Sequence, residues 1–278
     1  MYDAHLHLQD ERFVVCREAA IAAAVAAGVT DACCCGSSHD DWGAVEKLAA
    51  AYPALVELHH PTQFSILPAF GVHPWYAGEQ PAHWLTALEE MLVRHPEAAV
   101  GEIGVDGLRD QPSREVQRQV LVAQLTLAVR LKRPVVVHGA RAWGELLAIL
   151  KPFAPQLPGF VAHAFGGSDD ILREVVAMGG YASFAGMVCN PSAKRVRAAA
   201  AVVPAERLLI ETDAPDMVPR AQGSGLRVQA VERGIPEDIN HPANLIYVAR
   251  AMAELRGVAV EEIVAITAAN ARRVYRLP

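Results

Sequence analysis

No apolar run in this chain approaches the roughly 18 consecutive residues that a transmembrane helix needs, so no membrane span is expected. Nor does the chain open on a basic segment followed by an apolar stretch; no secretory leader is expected, and the expected address is the cytoplasm. Cationic excess is missing too. Lysine and arginine number 25 against 31 aspartates and glutamates, a formal net charge of −6, which excludes a broadly basic surface and with it indiscriminate nucleic-acid binding. A nucleic-acid end entering a pocket where metal ions supply local positive charge is not excluded. Cysteine is scarce: Cys16, Cys33, Cys34, Cys35 and Cys189 are the five, and three in succession cannot give the paired spacing of a zinc knuckle or a disulfide framework. Buried, reduced thiols on a core strand are the expectation. A linker rich in Gly, Ser or Pro and any low-complexity tract are also missing, so residues 1–278 read as one domain, with no obligate protein partner evident.

What the chain does have is alternation. Hydrophobic residues make up 52% and charged residues 20%, enough for a large soluble core. Short apolar runs suggest strands at Tyr2–Leu8, Thr30–Cys35, Ile66–Val72, Ala98–Val105, Pro134–His138, Gly159–His163, Tyr181–Phe184 and Arg207–Thr212. Segments of helical spacing separate them, such as Gln117–Leu131, where Leu121, Leu125 and Ala128 recur at i, i+4 and i+7. Ser168 before Asp169 and Asp170, and Asn190 before Pro191, read as helix starts. Eight strand–helix repeats in about 250 residues predict parallel strands closed into a (β/α)8 TIM barrel. A long irregular loop is expected over Pro215–Asn240, then two helices, about Pro242–Arg256 and Val260–Val274.

Histidines and carboxylates recur at the ends of these strands. His5 and His7 are two residues apart on a strand and project the same way. Glu102 lies in the fourth strand; His138, His163 and Asp213 end the fifth, sixth and eighth. A lone histidine at a strand end is more often an ordinary hydrogen-bonding residue, but in a barrel the strand ends converge on one face. Four imidazoles and two carboxylates exceed what one tetrahedral zinc takes. Two ions fit: His5, His7 and Asp213 on one, His138 and His163 on the other, with Glu102 as the bridge and activated water as nucleophile. Asp213 is then also the proton acceptor. His73, ending the third strand, is a candidate substrate contact; Asp106 is a candidate for orienting a ligand, and Arg141 for binding phosphate.

The same residues carry a resemblance. Asp3-Ala4-His5-Leu6-His7, Gly71-Val72-His73-Pro74, Gly101-Glu102-Ile103-Gly104-Val105-Asp106, Val137-His138, His163-Ala164-Phe165, Glu211-Thr212-Asp213-Ala214-Pro215 and the closing Thr267–Arg273 segment are similar, almost end to end, to the motifs of the TatD-type hydrolases of the amidohydrolase superfamily. The resemblance implies a TIM-barrel hydrolase using the six ligands above and two divalent ions (zinc, magnesium or manganese). It further implies a deoxyribonuclease acting on phosphoric ester bonds, with a nucleic-acid end or small phosphodiester as substrate. Departures gather near the mouth: Gly107-Leu108 stand where the family usually has tyrosine-like residues, and Asn240-His241-Pro242 where it often has N-E-P. Hydrolysis of a small ester, lactone or cyclic amide is the alternative, since the same centre polarises a carbonyl. A non-catalytic scaffold is disfavoured because no ligand is missing. Arg220, Arg227, Arg233 and Trp75 are candidates for a substrate groove.

Overall fold

The structure is a computed structural model that describes residues 1–53, 64–219 and 234–276. Its frame is eight strands: β1 (Tyr2–Leu6), β2 (Asp31–Cys35), β3 (Ser65–Phe70), β4 (Ala99–Asp106), β5 (Val135–Ala140), β6 (Phe160–Ala162), β7 (Tyr181–Phe184) and β8 (Leu208–Ile210). Each pairs in parallel with its successor, in sequence order. The ring closes at the mouth, where Asp213 N–H donates to the His5 carbonyl at 3.0 Å and His7 N–H to the Ala214 carbonyl at 2.7 Å. Helices α1 (Arg17–Ala26), α2 (Trp42–Ala51), α3 (Trp84–Arg94), α4 (Arg114–Leu131), α5 (Trp143–Leu150), α6 (Asp169–Ala177) and α7 (Lys194–Val202) wrap the outside; α8 (Leu245–Arg256) and α9 (Val260–Tyr275) follow β8. This is the TIM barrel that the alternation predicts.

Strand side chains divide between two buried clusters, as period-two alternation requires. Tyr2, Ala4, Cys33, Cys35, Leu67, Ala69, Val136, Val161 and Leu209 fill the interior, while Cys34, Ile66, Phe70, Val100, Val135 and Val137 pack under the helices. All five cysteines are buried and free, as expected. Ala271, Val274 and Tyr275 of α9 belong to the interior cluster, and the Tyr275 hydroxyl donates to the Ala4 carbonyl at 2.7 Å. The last helix therefore plugs the end of the barrel opposite the mouth. β1 carries an irregularity between Asp3 and Leu6. Tyr2 and Ala4 face the interior below it, and the shifted register turns His5 and His7 inward above it, a common use of bulges at barrel rims.

Several boundaries differ from the expectation. β1 and β8 stop two residues short of the expected ends, at Leu6 and Ile210, and β6 stops one short, at Ala162. The backbone must leave the ladder there to aim rim side chains, and Ala164 and Asp213 take left-handed φ values of 42° and 56°. α4 starts three residues early because Ser113 caps it, accepting from Val116 N–H at 3.4 Å. Pro242–Asn244 form a 3-10 turn, so α8 begins at Leu245. Ser168 does cap α6, but Asn190 does not open α7. Its side-chain oxygen accepts from Ser192 N–H at 3.0 Å, a local turn that competes with capping, and α7 starts at Lys194. Arg220, Arg227 and Arg233 lie outside the described residues, as does most of the expected 215–240 loop.

Candidate metal centre

Glu102 occupies the middle of the mouth, 2% exposed. Its two carboxylate oxygens face different partners. Oε2 lies 3.3 Å from His5 Nε2 and 3.4 Å from His7 Nε2. Oε1 lies 2.8 Å from His138 Nδ1, 3.1 Å from His163 Nε2 and 3.5 Å from His73 Nε2. Asp213 closes the first group, its Oδ1 at 3.5 Å from His5 Nε2 and 3.7 Å from His7 Nε2. All six residues expected as ligands thus meet at one point, with His73 beside them. Groups of donor atoms within 4.8 Å of one another are His5, His7 and Asp213; His5, Glu102 and His163; and His73, Glu102 and His138.

The outward nitrogens settle which ring atoms point inward as acceptors. His7 Nδ1 lies 2.7 Å from the Cys35 carbonyl, His138 Nε2 lies 2.9 Å from Asp106 Oδ2, and His163 Nδ1 lies 2.9 Å from Glu211 Oε1. A carbonyl or carboxylate there requires an N–H, so in the neutral ring the lone pair sits on His7 Nε2, His138 Nδ1 and His163 Nε2, all facing Glu102. His73 is the reverse case. Its Nδ1 accepts from Trp75 N–H at 3.1 Å, so the neutral ring carries its proton on Nε2, toward Glu102.

Lone pairs meeting lone pairs at these distances need a positive charge between them. Glu102 Oε1 is buried and receives no hydrogen bond of good geometry, despite three imidazole nitrogens within 3.5 Å. In the protein alone, protons supply that charge. Burial opposes ionisation of His7, His138 and His163, but the carboxylates outweigh it. Glu102 and Asp213 raise His7 to about 9, Asp106 and Glu102 raise His138, and Glu102 with Glu211 and Asp213 lifts His163 well above the usual histidine range. Burial, reinforced by His163, lowers His5 to about 4. Burial raises Asp213 to about 7 against the pull of His163 and His7. Nitrogen and oxygen donors of this kind, partly cationic without an ion and oriented by outer hydrogen bonds, fit divalent cations.

Two buried carboxylates support the imidazoles from outside, one of them, Glu211, not singled out in the sequence. Glu211 is buried, holds His163, and also accepts from Ala164 N–H at 2.6 Å; its adjacency to Thr212-Asp213 was the available signal. Asp106, expected to orient a ligand, sits against His138 and also accepts from Trp75 Nε1 at 2.9 Å. Burial opposes its charge, but His138 and Leu108 N–H outweigh that and hold it at about 2.

A TIM barrel with clustered imidazoles and carboxylates at its strand ends defines a metal-dependent hydrolase. The chain belongs to the TatD family: the family profile described as TatD related DNase matches residues 2–276. It is 31% identical over 278 residues, all of both chains, to the 3′-5′ ssDNA/RNA exonuclease TatD of Pantoea vagans. It is 32% identical over 212 residues to a Bacillus subtilis protein described as an uncharacterized metal-dependent hydrolase, YabD, covering 76% of this chain and 78% of that one. A solved TatD homolog from Escherichia coli, YJJV, matches at a TM-score of 0.85 and 29% identity over 100% of this chain and 98% of the other.

Proposed function

We propose that the chain works as a single-domain phosphodiesterase that removes nucleotides from the ends of single-stranded DNA or RNA. In this reading His5, His7 and Asp213 hold one divalent ion, His138 and His163 hold a second, and Glu102 bridges them; zinc, magnesium and manganese are the candidates. The observation that carries it is the division of Glu102, one oxygen toward each set of imidazoles. The exonuclease naming of the Pantoea vagans relative supports the substrate class.

Bound ions would supply charge stabilisation for the transferring phosphoryl group and a more acidic water. The chain's own residues orient and move protons. Asp213, at the edge of the cluster and partly open to solvent, takes the proton of the attacking water and returns it to the departing oxygen. His73 is neutral, because burial holds it well below the usual histidine range, and its Nε2–H is a donor suited to a substrate oxygen rather than to a metal. Among the described residues no helix is long and apolar enough to cross a membrane, and five buried free thiols accord with a reducing cytoplasm.

The test is release of nucleotides from labelled single-stranded DNA with Mg²⁺, Mn²⁺ or Zn²⁺. Wild-type protein should exceed His163→Ala by at least about a hundredfold with one of these ions, a scale set by loss of an electrostatic group at a reacting centre. Equal rates under every ion, or turnover confined to esters, lactones or cyclic amides, contradict the reading.

A further inference from the structure

Two arginines at the mouth of the barrel differ in what they face. Arg12, in the loop after β1, is neutralised: its guanidinium lies 2.8 Å from Asp10 and 2.9 Å from Asp216. Arg109, in the loop after β4, pairs with no carboxylate among the described residues. It is exposed, and its Cζ lies 3.5 Å from the centre of the Trp75 ring. An unpaired guanidinium seated over an indole keeps N–H donors available for a ligand, while the ring restricts its rotamers.

This stack is tied to the metal centre through one carboxylate. Asp106 Oδ2 accepts from Trp75 Nε1 at 2.9 Å and lies 2.9 Å from His138 Nε2. Asp106 Oδ1 accepts from Leu108 N–H at 2.5 Å, which anchors the loop that carries Arg109. Trp75 also packs edge-on to His73, ring centres 4.9 Å apart, and His73 packs on His138 at 4.5 Å. A single buried group therefore fixes the ring, the loop and the imidazole in one frame. In a chain of net charge −6, a fixed and uncompensated cation beside this centre is placed for an anion.

We propose that Arg109, seated on Trp75, binds the phosphate adjacent to the scissile one in a single-stranded nucleic acid; this rests on the phosphodiesterase reading above. A planar fork held in place loses little freedom on engaging phosphate oxygens in two charge-assisted hydrogen bonds. Arg109 is a substrate-positioning residue with no part in the chemical step. Its loss weakens binding of strands that have a neighbouring phosphate and changes the chemical rate much less.

The experiment measures binding of a fluorescent, hydrolysis-resistant phosphorothioate single strand to the holoenzyme by anisotropy over a series of salt concentrations. Nucleotide release from the ordinary strand is measured in parallel. Arg109→Ala should raise Kd and KM about tenfold, with kcat within about threefold. It should also lower the magnitude of the log Kd–log salt slope by about 0.7, the contribution of one phosphate contact on a single strand. Arg109→Lys should keep the slope, with a Kd between the two. Arg130→Ala removes the same charge from the far end of α4, where Arg130 pairs with Glu89, and should match wild type. An Arg109→Ala protein with wild-type Kd and slope overturns the inference and leaves the phosphodiesterase reading standing. Equal losses in Arg109→Ala and Arg130→Ala overturn it too, because the effect is then one of overall charge. Wild-type holoenzyme that neither binds nor cleaves the strand overturns both.

Discussion

Three imidazoles at the rim donate outward, to Cys35 O, Asp106 and Glu211, and so present lone pairs inward. Without an ion those lone pairs are protonated, and that has a consequence for stability. His7 moves from 6.5 to about 9, because Glu102 and Asp213 outweigh its burial. Asp3 moves from 3.8 to about 8 because it is buried, although Thr212 hydrogen-bonds to it. Both groups hold protons in the folded chain that the unfolded chain releases. The contribution of His7 is complete below about 6.5 and is lost as pH rises through 9. Asp3 loses its advantage as pH rises from about 4 to 8. Over pH 7 to 9 the two act in the same direction, while ion binding, which needs deprotonated ligands, strengthens. The Tm of chelator-treated protein should therefore fall across this window, and the gap to Zn²⁺- or Mn²⁺-loaded protein should widen. A rising Tm in the chelated protein contradicts this.

At the scale of elements, β4 carries a tightly constrained position. Gly104 pairs with His138 across the β4–β5 ladder, has φ 159°, and a Cβ there would stand 2.1 Å from the His138 carbonyl oxygen. Only glycine lets β4 approach the strand that holds His138 so closely. Gly104→Ala should cost at least about 3 kcal/mol and lower Tm by roughly 5–10 °C, read by thermal unfolding. A shift within 2 °C would contradict the close approach. Glycine in the Gly-Glu-Ile-Gly segment is visible in the sequence; the contact that requires it is not, because it depends on pairing with a strand more than thirty residues away. The same limit explains the misplaced start of α7. Asn190-Pro191 has the composition of a cap, but a turn inside the segment takes the asparagine side chain. Repeated strand–helix alternation and a histidine or carboxylate at most strand ends were legible because each is a local pattern. The inward turn of His5 and His7 depends on the irregularity in β1, which no local pattern discloses.

The whole molecule separates stability from chemistry along the barrel axis. At one end α9 inserts Ala271, Val274 and Tyr275 among interior residues of β1 and β2; at the other, six strands and the loops that follow them bring carboxylates and imidazoles together. The candidate ligands were readable from strand ends because a barrel forces those ends to converge. The roles of Glu211, which holds His163, and of Arg109, which lies on Trp75, were not, since both are partnerships between distant loops. The central claim is a pair of ions bridged by Glu102. Its most direct measurement is metal content per chain of protein purified without chelator, for wild type and Glu102→Ala, beside turnover of single-stranded DNA. Two ions per wild-type chain are predicted, with at most one ion and no measurable turnover in the variant. A fully active wild type holding less than one ion per chain, or a variant with the wild-type complement, would contradict it.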